Sequence, residues 1–74
     1  MALIDIGGRA EFESGISARA KDGEGAVTVQ TTREAVQNHG WEVVFAVAER
    51  RLAAGKFKVI RSVRVVRVTG DDCR

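Results

Sequence analysis

From Ile16 to Lys21, Ile16, Ala18 and Ala20 alternate with Ser17, Arg19 and Lys21. Successive side chains of an extended backbone point to opposite faces, so this run makes a strand with one apolar and one wet face. Val27 and Val29 alternate with Thr28 and Gln30 in the same way. Between them lies Asp22-Gly23-Glu24-Gly25, whose glycines can take the positive φ that a reversing chain needs. The pattern therefore predicts a β-hairpin over Ile16 to Gln30. Upstream, Leu3-Ile4-Asp5-Ile6 reads as a short strand ending in the flexible pair Gly7-Gly8, with Arg9 to Phe12 extended after it. The glycine pair lacks the spacing and the strand–helix context of a phosphate loop and reads as a turn.

The period then changes. Thr31-Thr32-Arg33-Glu34 has the form of a capping box, in which a threonine oxygen meets an orphan amide of the first helical turn and the glutamate reaches back to the cap. The helix it starts runs to Asn38-His39-Gly40, where Asn or Gly supplies a left-handed terminating residue. Beyond it, Trp41, Val44, Phe45, Ala48 and Leu52 share one stripe of a second amphipathic helix that ends at Ala54 and Gly55. Trp41 to Val47 is also rich in β-formers, so a strand is the alternative there. The continuation Ala-Glu-Arg-Arg-Leu-Ala-Ala favours helix.

Lys56 to Thr69 is dense in β-branched residues, and its apolar phase shifts between Val65 and Val66. That places Val63 and Val65 on one face and Val66 and Val68 on the other, through a bulge or a break into two short strands. Gly70 to Arg74 reads as a frayed polar tail. The fold class expected is α+β: a small antiparallel sheet of three to four strands, made of the hairpin and the C-terminal strand, with the helical segment packed on one face. The expected core is Ile16, Ala18, Val27, Val29, Val36, Val44, Phe45, Ala48, Leu52, Val63 and Val65.

With 74 residues there is room for a single domain over 1–74. Domains this small usually need a staple. Cys73 is the one cysteine and His39 the one histidine, which excludes an intrachain disulfide and a Cys/His zinc cluster; no metal, cofactor or catalytic residue is expected. A partner subunit is the staple that is left. A homodimer is expected, with Val66 and Val68 as candidate interface. No positively charged leader and no apolar run approaching about 20 residues is present, so a cytoplasmic protein without a membrane span is expected.

Charge adds one asymmetry. The net is +2, yet Arg50 to Arg67 holds seven basic residues and no acidic one. Lys56, Lys58, Arg61, Arg64 and Arg67, led by Arg50 and Arg51, are candidate phosphate or nucleic-acid contacts. Against this, Phe57 is the one aromatic in the segment, and arginines of both strand parities cannot share a face without a bulge. Cations at a strand edge also guard against aggregation. The other candidates have plainer readings. His39 at a helix end serves as a C-terminal cap. Cys73 follows Asp71 and Asp72, whose charge suppresses a thiolate. Glu11, Glu13, Asp22 and Glu24 are solvated acids of turns and edges, and Trp41 is a core anchor or interface residue.

The stretch from Asp22 to Val36 resembles the hairpin-then-helix segment of a family of short proteobacterial proteins catalogued only as a domain of unknown function. Val47 to Lys56 is similar to that family's alanine- and arginine-rich helix, and Val63 to Thr69 to its closing strand. The resemblance implies a compact bacterial hairpin, helix and strand arrangement and carries no activity, cofactor or catalytic residue with it. The function expected from the residues is a non-enzymatic protein-interaction or regulatory module with an unknown protein partner. The alternative is a nucleic-acid-binding accessory protein using the basic C-terminal strand.

Overall fold

The computed structural model describes residues 3–73. Its elements run β1 (Ile4–Phe12), β2 (Gly15–Asp22), β3 (Gly25–Thr31), α1 (Arg33–Ala53), β4 (Lys58–Ile60) and β5 (Val63–Arg67), followed by a 3-10 turn over Asp71–Cys73. They build an α+β fold: one five-stranded sheet in the order β1-β2-β3-β5-β4, with α1 packed on one face. All neighbours are antiparallel except β3 and β5, which run parallel because α1 carries the chain back over the sheet between them. That adds one strand and one parallel pair to the sheet expected from sequence.

The hairpin forms where the alternation put it, with Ala18 opposite Val29 and Ala20 opposite Val27. Its turn, Gly23-Glu24, is held by the Glu24 amide donating to Asp22 Oδ1 at 2.9 Å, and Gly25 takes φ 121°. Gly7-Gly8 is not a turn. β1 runs straight through the pair as a bulge, with Gly7 at φ 85°, and the register to β2 shifts between Asp5 and Arg9.

Thr32 caps the helix, its Oγ1 accepting from the Ala35 amide at 3.0 Å. Glu34 therefore stands one position short of the box, and Thr31 belongs to β3 with its Oγ1 buried and unbonded. Trp41 to Val47 is helical. Gly40, at φ 81° and ψ 162°, interrupts the helix where the Asn-His-Gly signal placed an end, and helix resumes directly after it. At the far end Gly55 takes φ 74°, its amide donates to the Leu52 carbonyl at 3.1 Å, and the Lys56 amide donates to the Arg51 carbonyl at 2.8 Å. This paired bonding is the Schellman termination that a glycine permits.

The core lies between α1 and β2, β3 and β5. Val27, Val29, Val44, Val66 and Val68 are its largest fully buried side chains, with Ala18, Ala20, Ala35 and Ala48 around them. Alanines on both surfaces let the helix approach the sheet closely, and each buried valine contributes about 1.5–3 kcal/mol. Ile16, Val36, Phe45 and Leu52, expected inside, are half-buried at its margin.

The faces of β5 are the reverse of those expected. Val66 and Val68 are fully buried under the helix, while Val63 and Val65 are half-buried on the uncovered side. The chain does break, but at Arg61-Ser62, which take φ 52° and 66° and turn β4 back onto β5. Positive φ at both central residues is the twist a two-residue hairpin needs. β5 then alternates without a bulge, and its parity follows from Val29 lying beside Val66. Gly70 to Cys73 are tied down rather than frayed, and Arg74 lies outside the described residues. Asp72 Oδ2 accepts from the Thr69 amide at 2.9 Å, Arg51 reaches Asp72 Oδ1 at 2.6 Å, and Cys73 packs against the core.

Candidate interaction surface

Strand register sorts the charges of the sheet by face. Asp5 lies opposite Ala20, Arg9 opposite Ala18 and Glu11 opposite Ile16, so all three point to the helix side; Asp22 and Arg64 share that side. There the acids find arginines. Arg9 donates to both Asp5 oxygens, at 2.9 and 2.7 Å, and its guanidinium lies 4.2 Å from the centre of the Trp41 ring. Arg33 Nε reaches Glu11 at 3.0 Å. Arg64 holds both oxygens of Asp22 and also donates to the Gly25 carbonyl at 3.2 Å. The Arg9 bonds, helped by the Gly7 amide, pull the Asp5 carboxyl down to about 2, and the Arg64 bond lowers that of Asp22.

Among the described residues the opposite face carries no helix. It presents Arg19 and Lys21 from β2, Arg67 from β5 and Lys58 from β4, all exposed and none with an ion pair among the described residues. No Asp or Glu of a strand points to this side. Ser17, Thr28 and Gln30 supply hydrogen-bonding groups along its middle, and Val63 and Val65 lie half-buried beside them. Ile4 and Ile60, each 53% exposed, border it on the two outer strands. A Cβ on Gly8 would lie 2.7 Å from Cδ of Arg19, so the bare glycine lets the arginine stem lie across β1. The result is a cationic surface with aliphatic borders.

The basic residues singled out from sequence do not converge. Lys58 and Arg67 lie on the open face; Lys56 is exposed in the connection after the helix; Arg61 occupies the β4–β5 turn; Arg64 is committed to Asp22 on the other side. Val66 and Val68 are unavailable as a dimer interface because the helix already covers them. Arg19 and Lys21, by contrast, join the surface from a strand whose wet face the alternation had already marked.

His39 lies half-buried before the Gly40 break, beside Asn38, Glu34, Glu13 and Asp71, in an open depression of ≈ 510 Å³ at the start of the helix. Among the described residues no three His, Cys, Asp or Glu side chains are placed to hold a metal ion. Burial first, and then the charge of Asp72, push the Cys73 thiol up, away from reactivity. No described helix is long and apolar enough to cross a membrane. No protein-family model, curated protein or solved structure matches the chain.

Proposed function

We propose that this protein is a non-enzymatic interaction module that docks an acidic, partly aliphatic segment of another protein on the open face of its sheet. One observation carries the reading: among the described residues the uncovered face holds unpaired Arg19, Lys21, Lys58 and Arg67 and no acid of a strand, whereas the strand acids are neutralised on the helix side. A second copy is a poor occupant, since stacking two such faces sets cation against cation without a counter-charge. Nucleic acid is the second reading, and the cations favour it. Base stacking, however, needs aromatic platforms, and the face offers Phe12 alone, half-buried at the end of β1. Aliphatic borders suit a protein segment better.

The two readings separate in a titration of the protein with an acidic Glu/Leu peptide and with single-stranded RNA, at about 50 and about 200 mM salt. The peptide is expected to bind, and Arg19→Glu with Arg67→Glu to weaken it at least about tenfold, with an unchanged circular dichroism spectrum. RNA binding tighter than the peptide, lost steeply with salt, would move the assignment to nucleic acid.

A further inference from the structure

The two edges of the sheet are built differently. β1, on one edge, carries the Gly7-Gly8 bulge, which breaks the regular spacing that a strand added there would need. β4, on the other edge, is regular, and it pairs with β5 alone. Its Val59 and Ile60 are 63% and 53% exposed, and Val59 is the most exposed large aliphatic in the described chain. Ile60 lies opposite Val63 and Val59 opposite Arg64, so the two straddle the edge, one on each face. Ile60 and Val63 close a two-residue hairpin and so exchange both backbone bonds; by the alternation of antiparallel ladders, the amide and carbonyl of Val59 then turn outward. Lys56, Lys58 and Arg61 surround this edge, exposed and without an ion pair among the described residues.

We propose that β4 is a docking edge, to which an acidic extended segment of a partner protein adds as a further strand. This deepens the reading of the open face as an acidic-segment site and rests on it: the added strand supplies the backbone register, and the cations of the adjoining face select its charge. The backbone groups of Val59 gain partners, Val59 and Ile60 gain cover from above and below, and Lys56, Lys58 and Arg61 gain counter-charges. Pairing of β4 with a second β4 is disfavoured, because it brings these three cations of both copies together with no acid between them.

The probe is a synthetic peptide of alternating Glu and Val, about ten residues long. It is titrated into the intact protein while backbone amide NMR shifts are followed. The decisive variant is Val59→Pro, which removes the outward amide at an edge position where proline is tolerated and which no intramolecular bond uses. The expected result is binding that shifts β4 amides and weakens at least about tenfold in Val59→Pro, while the amide spectrum of the rest of the sheet stays native. Binding that Val59→Pro leaves intact but Arg19→Glu with Arg67→Glu abolishes overturns the docking edge and leaves the open face standing. Failure of both the Glu/Val and the Glu/Leu peptide at low salt overturns the edge and the face together. A dimer of the free protein in sedimentation, lost in Val59→Pro, overturns the acidic partner in favour of a second copy.

Discussion

Two glycines show how the same substitution acts through different neighbours. A Cβ on Gly15 would lie 2.1 Å from the Thr31 carbonyl oxygen, backbone against backbone in a buried place, and neither side can yield. Gly15→Ala is expected to cost about 1–3 kcal/mol or more, read as a lower urea midpoint at unchanged slope. At Gly8 the neighbour is the Arg19 stem, which can swing away. Gly8→Ala should therefore leave the urea midpoint nearly unchanged. A midpoint shift as large as that of Gly15→Ala would show that the Arg19 stem is fixed. Neither role was legible in the sequence, because each depends on a residue brought close by folding. The same holds for Arg9, whose seat on Trp41 depends on folding that brings β1 near the start of the second helical segment.

At the scale of elements, punctuation was the most readable signal. The Asp-Gly-Glu-Gly turn and both helix stops lie where local chemistry put them, because turns and caps are decided by residues a few positions apart; the threonine cap falls one residue later than the box placed it. Gly40 adopts a φ/ψ combination that only glycine occupies readily, and its absent Cβ faces open space. Gly40→Ala is thus a purely conformational test, expected to cost about 1–3 kcal/mol in thermal or urea unfolding. No loss would mean that the two helical segments fuse in the variant. The facing of β5 was not legible in the same way. Its valines occupy both parities, so local pattern leaves either face possible, and the choice is made by β3, which lies beside it only after the helix has crossed.

Across the whole molecule, charge is segregated although the net is only +2. Candidate residues drawn from one stretch of sequence were therefore scattered, while the surface that formed takes its cations from three strands. The acids on the helix side give the fold a pH dependence of definite sign. Asp5, Asp22 and Asp72 all titrate below the ordinary carboxylate value of about 3.9 in the folded chain, so the stability they contribute is present above about pH 4 and is lost as the pH falls toward about 2. Urea midpoints should fall across that window and stay level from about pH 5 to 7, and Asp22→Asn should flatten the fall. A midpoint that does not move with acid would show that these bonds add nothing to stability. The parallel pairing of β3 with β5 bears on the order of assembly. The first three strands are joined by tight turns and can meet early, whereas Val66 and Val68 reach the core only after a long loop closes around the helix and β4. Until then, the alanine and valine face of the meander is open to water, and the exposure ends with the arrival of the last strand.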